Sequence, residues 1–391
     1  MQNPFIQAVI TIGETVGRRS GVSFGIYRSD RLFHQFILGQ TGTGKSTLMR
    51  NMIAQDMKRG EGFCLIDPHG DLAQSFQGGF PNNAIYWDIA DPENTYGYNP
   101  LTYVAEEYRP LVASGIIDAL KSQWSDAWGV RMEHCLRYAI LALLARPHST
   151  LKDIVPMFTK RSFRTQVLKH VTDEEVLKFW RDEYANMNYK NAFDGVAPIA
   201  NKLGVFLSHP VVRKVLCEPE QPIRFRKLMD EGTSLVINLS KGRLGSDISE
   251  VLGGLILAMI TNAAMTRDTI PEHRRRPYFV YVDEFASFTT ETIAGMLSEL
   301  RKYRVGLVLA GQYLSAIEAP IRDAIFGNVG NLCIFRCGAT DAPILSKQLG
   351  QIDQDSLINL PNYRMFTKIM VNGIQTKAFS ARSLSSSPLE Q

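Results

Sequence analysis

Apolar positions fall into two regimes along the chain. In the first hundred residues and again after about 222, short apolar runs alternate with helical stretches. Between them only helical spacing appears. Residues 35–40 (QFILGQ) predict a strand that enters a glycine-rich loop, followed by a helix over 46–59. A second strand, 63–66, stops at Asp67-Pro68-His69-Gly70, and a third spans 84–87. Strand–helix–strand alternation predicts a parallel α/β sheet. Over 104–221, Met132, Leu136, Ile140, Leu143 and Leu144 repeat at helical spacing, which predicts an inserted all-helical subdomain.

Alternation resumes with strands at 234–239, 278–282, 306–310 and 332–336, and helices at 248–266, 291–303 and 341–349. The runs 365–371 and 375–379 flank Asn372-Gly373, a hairpin signal. The expected organisation is an N-terminal extension (1–33), a discontinuous nucleotide-binding domain (34–103 and 222–382), the helical insertion (104–221) and a disordered tail (383–391). The fold class is therefore α/β, a P-loop core carrying an inserted helical subdomain.

Composition changes this picture little. With 391 residues, 45% hydrophobic and 21% charged, the chain is globular and large enough for two domains. A net charge of +4 is too mild to diagnose a nucleic-acid binder but permits one if the basic groups cluster. Basic groups do gather at 161–164, 202–214 and 273–276, where solvated surface is the commoner explanation. Trp124 and Trp128 read as core aromatics rather than base-stacking ones. The five cysteines show no CxxC spacing, as in buried, reduced thiols of a cytosolic protein. The N-terminus has no signal-peptide pattern. The most apolar stretch, 251–265, contains Thr261 and Asn262 and is short for a membrane span, so a buried helix is expected.

The chemistry lies in a few short segments. Gly39, Gln40, Thr41, Gly42, Thr43, Gly44, Lys45 and Ser46 match GxxxxGK[ST], followed by Thr47. In such a loop backbone N–H groups surround phosphate oxygens at a helix start, the lysine reaches the β- and γ-phosphates, and the serine hydroxyl ligates Mg²⁺. The strand YFVYV ends in Asp283-Glu284. Paired acids at a buried strand end need a cation. Asp283 is expected to hold Mg²⁺ and Glu284 to polarise the attacking water. The strand at 306–310 leads to Gln312, a candidate sensor of the γ-phosphate, and Arg336 closes the strand at 332–336. An arginine there can reach a neighbouring subunit's nucleotide, with Arg301 and Arg304 as rivals. Asp67, His69 and Asp71 lie close enough to the loop strand to assist water or Mg²⁺, a weaker assignment.

Taken in order, GQTGTGKST, LIDPHGDL, VINLSKGRLG, YVDEF, GLVLAGQ and FGNVGNLCIFRCGATDA resemble the type IV secretion coupling ATPases of conjugative DNA transfer, within the superfamily of DNA pumps that includes HerA and FtsK. The resemblance runs from about residue 31 to 382 and includes WGVRMEHCLRYAILALL and NKLGVFLSHPVVRKVL. It implies a RecA-like core, six subunits in a ring with ATP and Mg²⁺ at each interface, and ATP-driven movement of DNA. Lys45, Ser46, Asp283 and Glu284 fall on the family's Walker positions, Gln312 on its sensor and Arg336 on an inter-subunit arginine. The well-known members carry N-terminal membrane helices, and this sequence shows none ahead of its core. That leaves three readings. The protein is a cytoplasmic motor docked on a membrane complex or relaxase, an ATP-switched adaptor that recruits a substrate, or a motor for repair, partition or genome packaging.

Overall fold

The computed structural model describes residues 9–17, 20–78, 84–102, 104–187, 189–288 and 291–384. The chain divides into two compact units. The first comprises Met1–Trp87, Arg226–Ser240 and Arg267–Gln391; the second comprises Asp88–Phe225 and Lys241–Thr266.

The first unit is built on one sheet. Its strands in chain order are β1 (Val9–Thr15), β2 (Ser23–Tyr27), β3 (Gln35–Leu38), β4 (Gly62–Asp67), β5 (Ile85–Asp88), β6 (Leu235–Asn238), β7 (Tyr278–Val282), β8 (Val305–Gly311), β9 (Asn331–Ile334), β10 (Arg364–Lys368) and β11 (Phe379–Ser383). Their spatial order is β2-β1-β11-β10-β9-β3-β8-β7-β4-β6-β5. From β9 through β3, β8, β7 and β4 to β6 every pairing is parallel. From β9 to β10 and on through β11 and β1 to β2 it is antiparallel. The residue pattern explains the change. All residues of β3, β4, β6, β7, β8 and β9 are buried, as unbroken apolar strands covered on both faces must be. β10 alternates buried and half-buried residues, the mark of a sheet covered on one face.

This topology corrects two boundaries. Residues 9–15 and 23–27 are sheet strands rather than an extension ahead of the core, because β1 pairs with β11, Gly13 opposite Ser383. The Gln55 side chain also fastens β1 to the helix Lys45–Arg59, accepting from Thr11 N at 2.8 Å and donating to Thr11 O at 2.9 Å. No local pattern announces so distant a partner. Ser383 closes β11, and residues 385–391 of the expected tail lie outside the described residues. The expected hairpin narrows to Met370–Val371 against Ile374–Gln375; the longer runs on either side belong to β10 and β11.

The second unit is helical, and it is larger than the expected 104–221. It adds residues 88–103, 222–225 and 241–266, including the helix Ser246–Met265. That helix is apolar on nearly every face. It packs on the helix Arg109–Gln123 through small residues: a Cβ placed on Gly115 would stand 3.1 Å from Ala258 Cβ, and one on Gly254 3.4 Å from Ala119 Cβ. By length and composition Ser246–Thr269 could cross a membrane, but 78% of its apolar window is buried inside the protein. Trp124 is a core residue edge-on to Phe206, at 6.2 Å. All five cysteines are buried and free.

Candidate functional site

Four strand ends meet around a cleft of about 580 Å³ in the first unit, lined by residues that follow β3, β8, β7 and β4. β3 delivers the phosphate loop. Gly42 and Gly44 have φ of +74° and +119°, a backbone that only glycine adopts without strain. Gly39 is required by close approach, because a Cβ there would stand 2.5 Å from Phe335 Cβ. The loop is stitched to its neighbours: Gly39 N donates to Gly311 O at 3.2 Å, and Gln40 N donates to Arg336 O at 2.9 Å. Within it the Thr43 hydroxyl donates to Gln40 O at 2.7 Å. The helix Lys45–Arg59 starts directly after Gly44, so its unpaired N–H groups open onto the cleft.

Lys45 is buried and donates to Gly39 O at 2.6 Å and to Gln40 O at 3.2 Å. The ammonium thus sits on the loop's own carbonyls, where a phosphate oxygen would replace them. Burial lowers its pKa, opposed by the charges of Glu284 and Asp283. Ser46, Thr47 and Thr41 also line the cleft.

β7 supplies the acids. Asp283 is buried at the strand end, its N–H donating to Ile66 O of β4 at 3.0 Å. Burial pushes its carboxyl up to about 7, helped by the like charges of Asp67 and Glu284. Asp67 is held by donation from His69 N at 3.0 Å and from Ala73 N at 2.9 Å. Glu284 adopts φ +46°, an uncommon conformation for a residue with a side chain, and its N–H donates to Asp283 Oδ1 at 3.0 Å. Gln312, just past β8, donates from Nε2 to Glu284 Oε1 at 2.8 Å. Among the described residues no three side chains of His, Cys, Asp or Glu group as a metal site of their own, so a hard divalent cation here would draw most of its oxygens from phosphate and water. Ser46 and Asp283 are the residues here that could hold Mg²⁺ beside a bound phosphate.

Of the residues that the motifs single out, Thr41, Gly42, Lys45, Ser46, Thr47, Asp283, Glu284 and Gln312 line this cleft, and the three candidate arginines do not. Asp71 and His69 also line it. Gln312 contacts the acid Glu284. Arg336 rests on its own loop, donating from Nε to Gln40 Oε1 at 3.2 Å and from Nη1 to Leu360 O at 3.3 Å. Of its rivals, Arg301 lies over the Phe33 ring at 3.6 Å, and Arg304 lines a separate basic pocket with Arg274, Arg275 and Arg276. In that pocket Arg275 donates to Ile270 O and Lys302 O, and Arg276 to Glu231 O and Gly60 O, so both brace backbone. Arg50 is a cleft residue that the motif omits. Its position one helical turn after Ser46 was the available signal.

Solved structures with the same fold give this geometry its context. TrwB, a plasmid coupling protein, in complex with the non-hydrolysable GTP analogue GDPNP, superposes with a TM-score of 0.70 at 17% identity, covering 94% of this chain and 88% of that one. TrwB in complex with ADP and Mg²⁺ gives 0.70 at 16%, covering 99% and 96%. VirB4 of Thermoanaerobacter pseudethanolicus gives 0.65 at 12%, covering 98% of each. At such identities the likeness is one of fold, that of P-loop nucleoside triphosphatases. No curated protein matches the chain significantly. The family model described as Helicase HerA, central domain, matches residues 10–260, from β1 through the phosphate loop and the helical unit. Loop, sheet order and that match agree, and the chain belongs to the HerA helicase central-domain family.

Proposed function

We propose that this protein is an ATP-hydrolysing motor that moves DNA, a coupling-protein-like ATPase of conjugative transfer or type IV secretion. The observation that carries the reading is the convergence of the phosphate loop, the Asp283–Glu284 pair and Gln312 on neighbouring strand ends. The fold it shares with TrwB and VirB4 over most of their lengths supports the biological setting. The ADP and Mg²⁺ bound to TrwB carry over as ATP and Mg²⁺ for this chain.

Bound Mg²⁺ would neutralise charge on the phosphates. The protein's part follows from its residues. The loop N–H groups and Lys45 hold the phosphates, with Lys45 leaving the Gly39 and Gln40 carbonyls. Ser46 and Asp283 hold the cation. Glu284 takes the proton of the attacking water, and Gln312 keeps its carboxylate aimed until nucleotide arrives. Gly39, Gln40, Thr41, Gly42, Thr43, Gly44 and Thr47 form the cradle.

The chain works as a ring, a homo-hexamer in this reading, with DNA held by its backbone independent of sequence. It is cytoplasmic, meeting a membrane secretion complex or relaxase only through protein contacts. One of Arg336, Arg301 or Arg304 serves the adjacent subunit's nucleotide. For Arg336 this requires its bond to Gln40 to open on assembly.

Steady-state ATPase measurement with and without DNA tests the proposal. DNA should raise turnover, with stimulation weakening steeply as salt rises, and Lys45→Ala should abolish it. Turnover that DNA does not change, or that survives Lys45→Ala, sinks the motor. Binding of a cargo protein but no DNA would point to the adaptor instead.

A further inference from the structure

The cleft accounts for one end of a nucleotide. Asp283, Glu284, Gln312 and Asp67 all lie at the ends of β7, β8 and β4, on one side of the phosphate-loop strand β3. The terminal phosphate and its cation therefore point to that side. In a P-loop the backbone cradles the α- and β-phosphates and the lysine reaches the β- and γ-phosphates. The sugar and base then leave over the opposite flank of the loop, toward β9 and β10.

That flank is aromatic. Phe335, buried just past β9, and Tyr363, just ahead of β10, close on Gly44 from two directions. A Cβ on Gly44 would stand 3.0 Å from Tyr363 Cδ1 and 3.2 Å from Phe335 Cε1. Phe335 is spent on the core. Tyr363 is 43% exposed, unusual for a ring packed on a functional loop. Its place is over-determined. The Tyr363 N–H donates to Thr43 O at 2.8 Å, and its carbonyl accepts from Ser383 N at 2.9 Å. Its φ of +64° is a conformation that glycine or asparagine adopts more easily. The backbone here would suit a smaller residue, yet the position holds a large, partly exposed aromatic.

We propose that Tyr363 is the platform on which the base of the bound nucleoside triphosphate stacks, which makes it a nucleotide-binding residue outside the loop motif. This rests on the reading of residues 39–46 as the phosphate loop. Stacking of a base on an aromatic face is tolerant of base identity, because every base presents a π-face. The site accordingly accepts nucleoside triphosphates broadly, with affinity tracking the stacking strength of the base.

Equilibrium binding of Mg-ATP and of Mg-tripolyphosphate, which has no base, separates the possibilities on the full chain. Tyr363→Asn removes the ring and suits the backbone, so it should fold at least as well as the wild type. It should weaken ATP about 10- to 100-fold while leaving tripolyphosphate unchanged. Tyr363→Phe should keep ATP affinity. Tyr363→Trp should add a fluorescence signal that ATP quenches and tripolyphosphate does not. The proposal is overturned if Tyr363→Asn weakens both ligands equally, which makes the ring a prop for the loop. It is equally overturned if Tyr363→Asn weakens neither ligand, or if the Trp signal ignores ATP. Wild-type protein that fails to bind tripolyphosphate overturns the phosphate-loop reading itself.

Discussion

Single side chains in this molecule carry charge states that the surroundings impose. Asp283 is the clearest. Its folded pKa of about 7 lies above the ordinary carboxylate value, so the native state binds the proton more tightly than the unfolded chain does. That contribution is complete below about pH 4 and is lost as pH rises through 7. At pH 8 the nucleotide-free protein holds a desolvated charge beside Asp67 and Glu284. Asp283→Asn should then raise the melting temperature of the free protein at pH 8 by several degrees while eliminating Mg-dependent turnover. Scanning calorimetry and an ATPase assay check the two halves. His34 runs the other way. It is buried with Nε2 at 3.0 Å from Leu297 O, while Nδ1 accepts from Leu307 N at 3.0 Å, a neutral ring with its proton on Nε2. Burial lowers its pKa to about 4, and the nearby Arg301 charge adds to this. The unfolded chain therefore takes up the proton first, and stability falls as pH drops from about 6.5 toward 4, by roughly 3 kcal/mol at most. Urea titrations across that window should show the slope, and His34→Gln should flatten it.

Elements are tied together by polar groups buried in the core. The helix that follows the phosphate loop is joined to β7 by one cluster. Arg31 bonds Asp56 through both terminal nitrogens at 2.7 Å and Tyr281 through Nη2 at 2.8 Å, and its guanidinium lies 3.4 Å from the Phe279 ring centre. Tyr281 also donates to Asp56 Oδ2 at 2.5 Å. Asp56 sits in the helix of Lys45 and Tyr281 two residues before Asp283, so this cluster joins the two elements that carry the phosphate loop and the acid pair. Arg31→Met leaves a buried carboxylate without its cation and should cost about 3–5 kcal/mol in urea denaturation. Adding Asp56→Leu should recover much of that, because the unpaired charge rather than the lost bond is the main penalty. The strands from β3 to β9 were legible as apolar runs. This cluster was not, because Arg31 and Tyr281 stand 250 positions apart and a lone arginine looks like surface.

Assembly is the property of the whole molecule that the proposed function adds. An arginine that completes a neighbour's site makes turnover depend on chain concentration. It also allows two inactive variants to rescue each other. Lys45→Ala supplies an intact arginine but no working loop, and an arginine variant supplies the reverse. Mixing Lys45→Ala with Arg336→Ala, Arg301→Ala or Arg304→Ala in turn should restore ATPase activity for the one arginine that acts across the interface, and for no other. Absence of rescue in all three mixtures would place catalysis within a single chain.

What the sequence alone determined is whatever its chemistry packs into a few contiguous residues. The phosphate loop from Gly39 to Ser46 and the acids ending β7 belong here, because glycine freedom, a lysine at fixed spacing and a carboxylate after an apolar run are local facts. The parallel α/β class followed from periodicity for the same reason. Only the tertiary structure decided the rest. It made Gln312 a partner of Glu284, put Tyr363 on Gly44, and drew β1 into the sheet beside β11. It also gave the helix Ser246–Met265 to the helical unit. Each of these is a choice among distant partners of similar local pattern, made by which surfaces bury together. A polar or apolar residue does not carry the identity of its partner in its own spacing.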